Sequence, residues 1–269
     1  MRRISISNIA WEADVEEEMA CLLMKRRIDA IDIAPTRYFS DPSRATRAEV
    51  QVLREWWARW GIDVLGLQAL LFGTAGLNLF GDEVSRRRMI DHLVAVARIG
   101  VWLGANRCVF GSPRNRDRTG LDDASSRHIA IEFLSELGAR FRDEGAILCL
   151  EPNPPAYGCN FLTSTDEAAE IVRQVGMESV RLHIDAGTLA IVGEAPGLMI
   201  DRHASLVGYV HVSEPNLAPI VQGPVHAELG TALESRLPLM PVSIEMRSAP
   251  IPSVLHAIDV TRRNYAVGT

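Results

Sequence analysis

The chain has 269 residues, 47% of them hydrophobic and 23% charged, with a formal net charge of -6. This composition excludes a disordered chain and supports a large core, and the acidic balance argues against nucleic acid as a partner. No apolar run is long enough to cross a membrane, and Met1-Arg2-Arg3-Ile4 enters a strand pattern directly rather than a signal peptide, so a cytoplasmic protein with no membrane partner is expected. Cys21, Cys108, Cys149 and Cys159 contain no C-x-x-C pair and read as reduced thiols.

Short apolar runs alternate with longer amphipathic ones along the chain. Ile4 to Ala10 reads as a first strand and Asp14 to Arg27 as a helix, with Glu16, Glu17 and Glu18 at its start and Lys25, Arg26 and Arg27 at its end, which complements the helix dipole. IDAIDIAP from Ile28 is a second strand, Arg47 to Trp60 a helix, and IDVLGLQ from Ile62 a third strand. Ser85 to Ile99 is helical, ANRCVFG from Ala105 is a fourth strand, and Asp122 to Asp143 is a helix stopped near Gly145. ILCLE is strand five. Thr163 with Asp166 resembles a capping box that opens a helix to Val175, with Gly176 behind it. VRLHID, VGYVH and PVSIE are strands six to eight, and Ile251 to Tyr265 closes the chain as a helix.

Eight strands alternating with helices imply parallel pairing with right-handed crossovers, and hence an α/β chain folded as one (β/α)8 TIM barrel over residues 1–269, with no linker to divide it. An open doubly wound sheet would need a Gly-rich turn after its first strand, and ISNIAWEAD has no glycine.

Four strands end on a carboxylate or an imidazole: Glu151, Asp185, His211 and Glu245. Strand parity places Ile147, Cys149 and Glu151 on one inward face, as it does Arg181, His183 and Asp185, then Val207, Tyr209 and His211, then Ser243 and Glu245. A carboxylate after an apolar strand is costly to bury unpaired, so one alone is best read as an ion-paired or capping residue. Four such ends at the C-terminal mouth of a barrel form a ligand set for one divalent cation, with oxygen-rich coordination suiting magnesium or manganese and the histidine admitting cobalt, zinc or iron. Glu151 and Glu245 then stand across the mouth as an acid/base pair for proton transfer through a metal-stabilised enediolate.

Around this quartet, Arg114, Arg116 and Arg118 in SPRNRDR could recognise a phosphate or carboxylate, or could pair with Asp117, Asp122 or Asp123. Arg247 could face the mouth or solvent. His183 reads as a core histidine orienting Asp185, and His226 as a loop residue reaching the site. Gln68 and Asn153 are candidate contacts to substrate hydroxyls, and Trp11 a candidate pocket wall. Trp56, Trp57 and Trp60 lie at helical spacing and read as core or interface.

The sequence resembles the sugar phosphate isomerase/epimerase group of xylose isomerase-like barrels, which includes ketose 3-epimerases, hydroxypyruvate isomerases and inosose-converting enzymes. LLFGTAGLNLFG, VFGSPRNRDR, CLEPNP, HIDAG, HVSEP and IEM carry the resemblance. It implies that Glu151, Asp185, His211 and Glu245 hold the metal (Mn, Mg, Co or Zn), that the two glutamates are the acid/base pair, and that the substrate is a small sugar, sugar phosphate or related polyol or keto compound. The chain departs from the family at Thr188, where a substrate-contacting histidine is usual, and at Leu217, near the place of an arginine in many ketose epimerases. The endonuclease IV-like branch needs extra histidines for three zinc ions, whereas this chain has Gln68, Gly111-Ser112-Pro113 and Thr188 at those places. A metal-dependent dehydratase of an inosose-like ring, with His226 as acid, and a non-catalytic binding barrel remain as alternatives, and the sequence leaves a homo-oligomer, dimer or tetramer, open.

Overall fold

All eight apolar runs become parallel strands in a computed structural model that describes residues 2–266; Met1 and residues 267–269 of the expected domain lie outside the described residues. The strands are β1 Ile4–Ser7, β2 Ala30–Ile33, β3 Asp63–Leu67, β4 Arg107–Phe110, β5 Ile147–Leu150, β6 Val180–Asp185, β7 Val207–Ser213 and β8 Val242–Glu245. Each pairs with the next, and β8 returns to β1, so the sheet closes as the expected barrel. Around it lie α1 Glu16–Lys25, α2 Arg47–Ala58, α3 Glu83–Leu103, α4 Asp123–Glu144, α5 Thr165–Val175, α6 Ala186–Val192, α7 Pro196–His203, α8 Pro224–Arg236 and α9 Ile251–Tyr265. No helix among the described residues is long and apolar enough to cross a membrane.

Local chemistry sets most of the helix ends. Thr46 and Glu49 form a reciprocal capping box that opens α2, Asp122 caps α4, and Gly104 and Gly145 stop α3 and α4 in the left-handed conformation. At α5 the expected box is displaced by one residue. Ser164, not Thr163, is the cap, while the Glu167 carboxylate accepts from the Thr163 amide at 2.7 Å. The first strand also ends earlier than expected. The Ser7 hydroxyl accepts from the Ile9 amide and turns Asn8–Ala10 into a single helical turn. The apolar seven-residue α6 and the α7 and α8 helices had no distinct signature in the pattern.

Two bulges re-aim residues inside the barrel. Between β2 and β3, Ile31 pairs with Val64 but Asp32 pairs with Gly66, which leaves Leu65 as the extra residue. Between β6 and β7, Leu182 pairs with Val207 and His183 with Tyr209, so Gly208 is extra. This second bulge corrects the expected parity of Val207. Val207 packs with Leu182 in the main apolar cluster, whereas Tyr209 packs with Val109 and Cys149 in the small cluster inside the barrel. Gly208 has no room for a side chain, since a Cβ there would lie 2.5 Å from that of Arg181.

The main core lies between barrel and helices. Trp57 is fully buried in it, with Trp56 and Trp60 packed against its edge. All four cysteines are free thiols, three of them buried, and burial pushes the Cys149 thiol up to about 12, as expected for inert core sulfurs.

Candidate metal centre

The carboxylates and the imidazole at or near the C-terminal ends of the last four strands meet at one mouth. Glu151 directly follows β5, Asp185 and Glu245 end β6 and β8, and His211 lies within β7 beside Asp185 in the register. One donor atom from each of Glu151, Asp185, His211 and Glu245 lies within 4.8 Å of every other. His211 Nδ1 is 3.3 Å from Glu245 Oε2. Asp185 caps α6, accepting from the Thr188 amide at 2.6 Å and from the Ser213 hydroxyl. Thr188 therefore acts on Asp185 through its backbone. Gly111, just beyond β4, makes the room that Glu151 occupies, because a Cβ there would lie 1.4 Å from Oε2.

The group is short of positive charge. Burial raises the Glu151 carboxyl well above its usual range, and the negative charges of Asp185 and Glu245 add to that. Burial, with Glu245, also raises Asp185. At His211 burial disfavours the charged ring, but Glu245 and Asp32 outweigh it and its proton affinity rises well above the ordinary value. Neither ring nitrogen of His211 makes a hydrogen bond. Converging buried carboxylates with an unpartnered imidazole fit a divalent cation, which would supply the missing charge and replace the protons.

The other expected site residues divide into two sets. Gln68, Leu71, Phe72, Leu217, Glu151 and Glu245 line a cavity of about 280 Å³ over the cluster. Gln68 is buried and both ends of its amide lack partners. His183 is fully buried, with its Nε2 3.9 Å from Glu151 Oε1 and its ring edge-on to His211. It makes no hydrogen bond, so it does not orient Asp185 as expected; burial, aided by His211, holds it neutral. Arg114 and Arg247 are exposed, and Arg114 lines the adjoining cleft with Asn153 and Tyr157.

The remaining residues are engaged elsewhere. Arg116 departs from the anion-recognition expectation. It is fully buried and donates to the Glu151 carbonyl at 2.6 Å and to Asn153 Oδ1 at 2.7 Å, which fixes the turn that carries Glu151. Arg118 pairs with Asp123 and donates to the Asn160 carbonyl. His226 lies in the first turn of α8 rather than in a loop, held between the Tyr265 hydroxyl at 2.8 Å and Glu214 at 3.1 Å. Trp11 is fully buried in the main core and does not line the cavity.

Asp32 stands outside the residues that the sequence pattern points to. This carboxylate on β2 is wholly buried inside the barrel, where Oδ1 accepts from the Tyr209 hydroxyl at 2.7 Å and from Ser5 at 3.1 Å. An aspartate in the middle of the apolar strand AIDI was the available signal.

A family model described as xylose isomerase-like TIM barrel matches residues 22–263, and the chain belongs to that family. Among curated proteins, none matches the sequence. The fold is shared with a D-psicose 3-epimerase solved in the presence of D-fructose, at 18% identity and a TM-score of 0.80 over 98% of this chain and 100% of that one. It is shared with a 3-keto-D-glucoside 4-epimerase from E. coli, at 14% identity and 0.74 over 97% of each chain. An AP endonuclease, family 2, from Brucella melitensis is also similar, at 14% identity and 0.75 over 94% of this chain and 96% of that one.

Proposed function

We propose that the protein is a divalent-metal-dependent isomerase or epimerase of a small sugar or related keto compound. The observation that carries this reading is the convergence of three carboxylates and one imidazole within 4.8 Å at the barrel mouth, beneath a cavity of about 280 Å³. Two of the proteins that share the fold are named as sugar epimerases, which fits. Glu151, Asp185, His211 and Glu245 would hold the cation, and manganese, magnesium, cobalt or zinc would suit them. When bound, it supplies Lewis-acid polarisation of the substrate carbonyl.

The chain's own residues do the rest. Glu151 and Glu245 approach from β5 and β8, so one takes the proton from the carbon beside the carbonyl and the other returns one to the opposite face. The free amide of Gln68 can donate to one substrate hydroxyl and accept from another. Leu71, Phe72 and Leu217 give the cavity an apolar wall. Arg114 and Arg247 are the exposed cations left for an anionic group, since Arg116 and Arg118 are occupied. A dehydratase would need an acid at the leaving hydroxyl, and His226, its candidate, is taken by Tyr265 and Glu214.

Calorimetric titration of the purified, chelator-treated protein with manganese tests this directly. Binding of one cation per chain is expected, and its loss in Asp185→Ala. Absence of binding by manganese, magnesium, cobalt and zinc would sink the reading.

A further inference from the structure

Two unpaired atoms face each other beneath the site. Asp32 Oδ2 has no hydrogen-bond partner, and neither has His211 Nε2, 3.6 Å away; both residues are fully buried. Leaving a buried polar atom unsatisfied costs about 1–3 kcal/mol, so a device that places two such atoms opposite each other needs a reason. The chain spends two local features on it. The bulge at Leu65 brings Gly66, rather than a residue with a side chain, opposite Asp32. A Cβ on Gly66 would lie 2.9 Å from Asp32 Oδ2 and 2.9 Å from the Tyr209 ring. The other carboxylate oxygen is held by Tyr209 and Ser5, which fixes the plane of the group and aims Oδ2 at the imidazole.

The two nitrogens of His211 thus have different surroundings: Nε2 faces Asp32, and Nδ1 faces Glu245 and the ligand cluster. A neutral imidazole has one N–H and one lone pair, and the partner of one nitrogen decides which is which. We propose that Asp32 is the positioning residue for His211, holding its N–H on Nε2 so that the Nδ1 lone pair is presented to a divalent cation. This rests on the metal reading above. His183 stands edge-on to the His211 ring and makes no hydrogen bond, so it does not compete for either nitrogen.

The test has two arms on the intact chain. In Asp32→Asn the amide oxygen can still accept from Tyr209 and Ser5, but the amide N–H then faces Nε2 and favours the N–H on Nδ1. Manganese affinity by calorimetry should fall roughly 10- to 100-fold while the melting temperature without metal stays near that of the wild type. Unchanged affinity in a wild type that does bind manganese overturns the proposal and leaves the metal reading standing; a wild type that binds no cation removes the metal reading itself. The second arm needs no variant of Asp32. Nitrogen NMR of histidine-labelled wild type loaded with zinc, which is diamagnetic, with the His211 signal identified by its absence in His211→Gln, should show the ring bound to the cation through Nδ1 and protonated at Nε2. A neutral ring protonated at Nδ1 overturns the proposal.

Discussion

Arg116 shows how burial changes the meaning of a residue that sequence alone placed in a basic loop. Its guanidinium is fully buried and donates to the Glu151 carbonyl and to Asn153, so it supports the turn that carries the glutamate instead of meeting a substrate. Charge-assisted hydrogen bonds of this kind contribute about 1.5–3 kcal/mol each. Arg116→Ala should therefore lower the melting temperature and reduce turnover of neutral and anionic substrates alike. A Michaelis constant raised for anionic substrates only, at unchanged stability, would contradict this. At this scale the four strand-end residues were legible because an anion after an apolar run stands out. Arg116 and Asp32 were not, because nothing in SPRNRDR or AIDI says which polar side chain turns inward.

At the scale of elements, strand order and most helices followed from alternation of apolar runs, and the closed barrel followed from their number. The bulges did not, since one extra residue shifts the register without changing the pattern that identifies the strand. The short α6 escaped because its sequence AGTLAIV is nearly uniform in polarity; Asp185 both caps it and faces the site. The adjacent ends of β4 and β5 carry the clearest consequence. Gly111→Ala would set a Cβ 1.4 Å from Glu151 Oε2, and the flexible carboxylate, rather than the backbone, would give way. Stability should fall by about 1–3 kcal/mol, while manganese affinity and turnover fall at least tenfold. Native affinity in a folded Gly111→Ala protein would show that Glu151 need not occupy that space.

For the whole molecule, the centre couples folding to pH. Burial and mutual repulsion raise Glu151 and Asp185, and Glu245 and Asp32 raise His211 against its burial. All three bind protons more tightly in the folded chain than in the unfolded one, where glutamate titrates near ~4.3 and histidine near ~6.5. The folded state then holds more protons, so stability is lost as pH rises through the folded values. His183 has the opposite sign, because it is held neutral, but it contributes only below pH ~6.5, the unfolded value. Without metal, the melting temperature should fall as pH rises from about 6.5 to about 8.5, and a saturating cation, which takes the deprotonated groups, should offset the fall. Thermal denaturation across that range with chelator or with manganese checks it; a metal-free protein that gains stability with pH would contradict the sign.

Solvent exchange reports the proton transfer itself. With manganese in heavy water, across a panel of ketoses and related keto sugars, the wild type should incorporate deuterium at the carbon beside the carbonyl of its substrate. For each epimer, the variant that lacks the glutamate on that face, Glu151→Gln or Glu245→Gln, should, still folded, exchange roughly 10²- to 10⁴-fold more slowly, and neither should form the other epimer. Formation of the other epimer at the wild-type rate by either variant would contradict the two-glutamate mechanism.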